Sequence, residues 1–146
     1  MIQIHNSDKR LLLSNLRKEV RKLLHKNSIT VSREKFVTPV GRAWVERRKD
    51  IIKIPALSSL DKIAVAFHEI AHAIFGHYEG NKKEHVQEYE AEIWTLKKLK
   101  KFNAHIISPK EYISIVKEAK RNVYSYTLED GVKVQSRIKR WLFLSK

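Results

Sequence analysis

The sequence predicts an α+β fold. Three observations point to it. Apolar residues recur at three- and four-residue spacing in several segments, one intervening block turns to β-branched and aromatic residues, and 146 residues with 42 % hydrophobic content suffice for one core. The 3 prolines and 4 glycines are scattered, so no linker marks a boundary and a single domain over residues 1–146 is expected.

Ser7 and Asp8 precede a segment, Lys9 to His25, whose apolar positions 12, 13, 16, 20, 23 and 24 lie on one helical face. From about Ile29 the pattern changes. Gly41 and Lys49-Asp50 are turn candidates around Ala43-Trp44-Val45 and Ile51-Ile52-Lys53-Ile54, which predicts a hairpin or a three-stranded sheet closed by Pro55. Ser58, Ser59 and Asp61 offer caps for a second helix to about His77, with Gly76 where a helix commonly stops. Its only polar side chains from Ile63 to Phe75 are His68, Glu69 and His72, so it should be buried on most sides. A third helix is expected from near Lys83 to Lys101, closed by Asn103. Ser108-Pro109-Lys110-Glu111 combines a first-turn proline with a capping box and opens a fourth, to about Asn122. After the turn signal Asp130-Gly131, residues 132–144 read as a helix, or as a strand and a short helix.

Composition narrows the chemistry. With 0 cysteines, disulfides, thiolate metal sites and a cysteine nucleophile are excluded. Any metal must be held by His and carboxylate. Met1 to Arg10 is charged where a signal peptide needs an apolar core, and no apolar run approaches the roughly 20 residues of a membrane span, so a cytoplasmic protein with no membrane contact is expected. Thirty Lys and Arg against 16 Asp and Glu give a formal charge of +14, which favours contact with a polyanion such as nucleic acid.

His68-Glu69-Ile70-Ala71-His72 fits the HExxH pattern, in which a four-residue step sets both imidazoles on one helix face within reach of one ion. Two neutral imidazoles suit Zn²⁺, and Glu69 beside them is placed to move the proton of an attacking water. Three ionisable groups in an otherwise apolar buried helix cost several kcal/mol in desolvation unless compensated, and a cation compensates them.

A third ligand is needed. Glu88-Tyr89-Glu90-Ala91-Glu92 supplies three acids, of which Glu88 and Glu92 share a face while Glu90 points away from it. The reading adopted is Glu88 as ligand, with Glu92 one turn on to orient a histidine. Tyr78, Tyr89, Tyr112, Tyr124 and Tyr126 are all candidate donors to a developing oxyanion. Trp44 is a candidate edge for an extended peptide. His77, nine residues beyond His68, is expected at the surface or the helix end.

The run from His68 through Ala73-Ile74-Phe75-Gly76 to His77, followed by Glu88 to Glu92, resembles the ImmA/IrrE family of zinc metallopeptidase-like domains. The likeness spans about Ile51 to Leu99. It implies an α+β zincin-like metallopeptidase domain, a small sheet packed against the buried HExxH helix and further helices. It also implies His68, His72 and Glu88 as zinc ligands, Glu69 as base, Glu92 in support, and a protein or peptide substrate of the regulatory, repressor type. Two features depart from the family pattern: Ile93-Trp94-Thr95-Leu96-Lys97 follows the second motif, and only 15 residues separate His72 from Glu88. A trimmed, phage- or mobile-element-type version would look like this.

Other classes make different demands. A metzincin needs Gly and His where Phe75 and Tyr78 stand. A SprT-like DNA-associated protease needs a third histidine, for which His85 or His105 would have to serve. A catalytically silent zincin scaffold would act by binding nucleic acid or a protein partner, and in a structural or toxin-like protein zinc would only hold the fold.

Overall fold

The computed structural model describes residues 6–32, 51–77, 82–131 and 133–144. Helix α1 (Asn6–Lys26) starts three residues before the predicted segment and buries Leu12, Leu16, Val20 and Leu23, one apolar stripe at three- and four-residue steps. Besides that stripe, two polar contacts tie it to the rest. Arg17 Nε donates to the Leu57 carbonyl at 2.7 Å, and Lys98 Nζ donates to Glu19 Oε2 at 2.9 Å.

Strands β1 (Thr30–Val31) and β2 (Ile51–Ile52) pair in parallel, Thr30 opposite Ile51 and Val31 opposite Ile52. Ser32 N–H extends the pairing to Ile52 O at 2.7 Å. Among the described residues the partner of Ile51-Ile52 is thus a strand from directly after α1, which the sequence reading did not name, and a parallel pair requires a long connection rather than a tight turn. Gly41, the strand Ala43 to Val45 with Trp44, and the turn Lys49-Asp50 lie outside the described residues. The strand ends at Ile52, three residues before Pro55.

Helix α2 (Leu60–Phe75) buries Leu60, Ile63, Ala64, Ala66, Phe67, Ile70 and Ala71. Ser59 is its N-cap, but the Ser59 hydroxyl donates to Asp61 Oδ1 instead of capping a backbone amide. Burial is less complete than the sequence suggests, because Ile74 and Phe75 in the last turn are exposed. Gly76 ends the helix at φ 66°, ψ 33°, the left-handed conformation that glycine adopts without penalty.

Helix α3 (Glu84–Lys101) follows the predicted span, and Asn103 just beyond it is left-handed at φ 63°. A short helix α4 (Ala104–Ile107), not anticipated, leads to α5 (Pro109–Asp130). Pro109 is at the first turn as expected, yet Ser108 makes no side-chain cap, so the capping box is not formed. Helix α5 runs eight residues past Asn122. Packing carries it on: Val123 joins Val86 and Ile138 in a second apolar cluster that the local pattern of Tyr124 to Asp130 gave no reason to expect. Gly131, left-handed, is its C-cap. The last segment is a helix, α6 (Ser136–Phe143), packed on α5.

The arrangement is mostly helical with a two-stranded parallel sheet, α+β in the coarse sense. Helix α2 lies between α1, α3, α5 and β2, and α3 packs against both α2 and α5. The largest apolar cluster joins Leu16 and Val20 of α1, Ile63 and Phe67 of α2, Leu99 of α3 and Ile115 of α5. The polar residues of α2 are thereby presented toward α3 and α5. Among the described residues no helix is long and apolar enough to cross a membrane.

Candidate metal centre

Helical geometry brings His68 and His72 together, and the packing of α3 on α2 brings Glu88 to them. His68 Nε2 and His72 Nε2 are 3.0 Å apart, His72 Nε2 is 2.5 Å from Glu88 Oε2, and His68 Nε2 is 3.2 Å from Glu88 Oε1. The ligand atoms of these three residues all lie within 4.8 Å of one another, a group able to hold a metal ion. Tetrahedral coordination at about 2.0–2.1 Å sets donor atoms roughly 3.3 Å apart, which the 3.0 and 3.2 Å separations approach, while the 2.5 Å contact between His72 and Glu88 would have to widen around an ion.

Their protonation strengthens that fit. Glu92 Oε1 accepts from His68 Nδ1 at 2.6 Å, so a neutral His68 presents a bare Nε2. One hydrogen cannot satisfy two ring nitrogens and a carboxylate at once, whereas a single cation among them can. In the metal-free chain burial works against charging His68, but Glu92 and Glu88 outweigh it and hold its pKa well above the ordinary value. Burial likewise works to raise Glu88, and the two histidines outweigh it, holding that carboxyl well below the usual range.

Glu69 differs from both. It is 1 % exposed, its Oε1 lies 3.9 Å from His68 Nε2, and its Oε2 is buried with no hydrogen-bond partner. Burial pushes its pKa up to about 8, opposed by His68 and reinforced by Glu88 and Glu92. A buried acceptor without a donor is costly to maintain, which is expected where a ligand or water completes the site.

Glu90 points away from the three ligand atoms. Its Oε1 accepts from His77 Nε2 at 2.9 Å, and Lys82 Nζ reaches both of its oxygens, at 3.0 and 2.9 Å. Of the two positions expected for His77, the structure gives the helix end and not the surface. The left-handed turn at Gly76 folds it back against the helix, so it is 5 % exposed with its Nδ1 2.8 Å from His72 Nδ1. Burial, the largest influence, lowers the pKa of His77. The sequence reading also missed Asn122, whose Nδ2 donates to Glu88 Oε1 at 2.8 Å. Glycine at position 76 was a usable signal for His77; nothing local marks Asn122, because α5 reaches the site through packing alone.

A cavity of about 580 Å³ opens beside His68, Glu69 and Glu92, walled by Ala64 and Val65 of α2, Thr95 and Leu96 of α3, and one face of α5 that includes Asn122 and Tyr126. Among the tyrosines considered, Tyr126 lines this space, whereas Tyr89 packs on Trp141, Tyr112 on His105 and Tyr124 on Phe143. Tyr78 lies outside the described residues. His85 and His105 are placed elsewhere: His85 Nδ1 is bound to Asp130 Oδ2 at 2.7 Å, and neither belongs to the metal-holding group.

The fold is α+β in the coarse sense, and His68, His72 and Glu88 form a group that could hold a metal ion. No protein-family model, curated protein or solved structure matches the chain.

Proposed function

We propose that this chain is a zinc-dependent metallopeptidase of zincin-like fold, akin to the ImmA/IrrE family, that hydrolyses a peptide bond in a regulatory, repressor-type protein. One observation supports it above the others: three ligand atoms converge next to an unpartnered buried carboxylate at the wall of a cavity large enough for a few side chains.

Zinc held by His68, His72 and Glu88 would supply Lewis acidity, polarising a carbonyl and lowering the pKa of a water to about 7. Glu69 takes the proton of the attacking water on its free oxygen and returns it to the departing amine. Burial raises the pKa of Glu69, and a cation held by His68, His72 and Glu88 would favour its ionised form. Glu92 holds His68 in the tautomer that leaves Nε2 free. Tyr126, on the cavity wall, is the candidate donor to an oxyanion that this reading favours among the tyrosines. Helix α5 bounds the space in which a substrate segment lies.

The test is zinc content in the wild type and in His68→Ala, His72→Ala and Glu88→Ala, with peptide hydrolysis in the wild type and Glu69→Gln. Stoichiometric zinc in the wild type but not in the three ligand variants, and loss of hydrolysis in Glu69→Gln with zinc retained, are expected. Equal, near-zero zinc in all four proteins would end the reading.

A second reading is a silent scaffold that binds nucleic acid. It is favoured by α6, where Arg137, Lys139 and Arg140 are exposed beside an exposed Phe143 in a chain of charge +14. A SprT-like ligand set draws no such support, since its third histidine has no counterpart in the metal-holding group.

A further inference from the structure

The metal-ligand reading accounts for His68, His72, Glu88, Glu69 and Glu92, and leaves unexplained why a third histidine and a fourth acid are placed on the opposite side of His72. We propose that His77 and Glu90 are a positioning pair for His72, fixing its ring plane and tautomer so that a bare Nε2 faces Glu88. This inference rests on the reading of His68, His72 and Glu88 as metal ligands.

The hydrogen count dictates the arrangement. A carboxylate only accepts, so the 2.9 Å contact between His77 Nε2 and Glu90 Oε1 places the hydrogen on His77 Nε2. A neutral imidazole carries one N–H, which leaves His77 Nδ1 an acceptor. The 2.8 Å contact between His77 Nδ1 and His72 Nδ1 then takes its hydrogen from His72. His72 is thereby held as the Nδ1–H tautomer, and its Nε2 lone pair points into the ligand group. Lys82 keeps Glu90 in place from outside, and Gln87 Nε2 donates to the carbonyls of His77 and Lys82, each at 3.0 Å, tying the end of α2 to the start of α3.

The two ligand histidines are therefore oriented by different means. Glu92 grips His68 directly, whereas the carboxylate behind His72 acts through an intervening ring. The relay exists because Gly76 reverses the chain one residue after α2 ends. A purely structural role, in which His77 merely fills the helix end, would make the fold and not the metal depend on it.

The full chain, with ¹⁵N-labelled histidine, separates these cases. Zinc affinity is measured by chelator competition in the wild type, His77→Ala, His77→Gln and Glu90→Ala, and the melting temperature of each metal-free protein is recorded. Cross-hydrogen-bond coupling between His72 Nδ1 and His77 Nδ1 is sought in the zinc-loaded wild type. Expected are a visible coupling donated by His72, a loss of zinc affinity of about 10- to 100-fold in His77→Ala, partial recovery in His77→Gln, whose amide oxygen can accept, and metal-free melting temperatures that do not follow the affinities. Should His77→Ala fail to fold, Glu90→Ala, at a partly exposed position, decides the matter with an expected loss of about 10-fold. Unchanged affinity in the folded variants, or a wild type whose His72 Nδ1 carries no hydrogen toward His77, overturns the positioning role while the metal reading stands. A wild type that binds no zinc overturns both.

Discussion

Asn122 and Glu88 are 34 residues apart in the chain and 2.8 Å apart in space, the amide nitrogen of one donating to the carboxylate of the other. Each residue of the metal-holding group thus has its own hydrogen-bond partner: Glu92 for His68, His77 for His72 and Asn122 for Glu88. Orientation of ligands by such partners is commonly worth one to two orders of magnitude in metal affinity.

Asn122→Ala should therefore weaken zinc binding by about 10-fold. The fold should be little affected, since the side chain is only half buried on α5. Chelator competition alongside circular dichroism checks this; an unchanged affinity would leave Asn122 a bystander.

Stability of the metal-free chain should fall as pH rises. Glu69, pushed up to about 8 from 4.5 chiefly by burial, binds its proton more tightly folded than unfolded. Its contribution is complete below the unfolded value and lost as pH climbs through the folded one, on the order of a few kcal/mol across that window. His68, also raised, acts in the same direction. Urea unfolding with chelator at about pH 5 and about pH 9 measures the difference, and Glu69→Gln, which cannot ionise, should flatten part of it.

Gly76→Ala should cost about 1–2 kcal/mol, although the new methyl group meets nothing within 4 Å, because the left-handed backbone at φ 66° is strained for any residue with a Cβ. Gly76→Asn should cost less. Because the turn delivers His77, the alanine variant should also lose zinc affinity; thermal melting and chelator competition on the same samples read both effects.

Phe67→Ala should destabilise the chain by about 3–5 kcal/mol. The ring is fully buried next to His68 in sequence and meets Trp94 edge-on at 6.1 Å. Denaturant unfolding measures it, and a cost below about 1 kcal/mol would mean that the interior collapses to refill the space.

If α6 contacts nucleic acid, the affinity for a DNA duplex should fall steeply with salt. Reversing Arg137, Lys139 and Arg140 to Glu should reduce the slope of log affinity against log salt by up to about 3, and Glu69→Gln should leave it unchanged. Fluorescence anisotropy across a salt series reads the slope. A slope indifferent to those three residues would remove α6 from the interface.

Much of this site is legible in one dimension because helices convert spacing into direction. A four-residue step puts His68 over His72, and the same step puts Glu88 and Glu92 on one face with Glu90 turned off it. Capping signals serve less well. Ser59 and Ser108 stand at helix starts as expected, but their side chains cap no backbone amide. Helix α5 outruns its own periodicity because Val123 is buried by Val86 and Ile138, residues far from it in the chain.

By itself, then, the sequence determined which helix bears His68, Glu69 and His72, which one bears the acids, and that only nitrogen and oxygen could bind a metal here, since each follows from local geometry or composition. Tertiary structure decided the rest: the parallel pairing of Thr30 with Ile51, the fold-back of His77 onto His72, and the arrival of Asn122 and Tyr126 from α5. These depend on how helices stack and where a chain reverses, and such contacts between distant residues arise from burial of shared apolar faces, which no local pattern encodes.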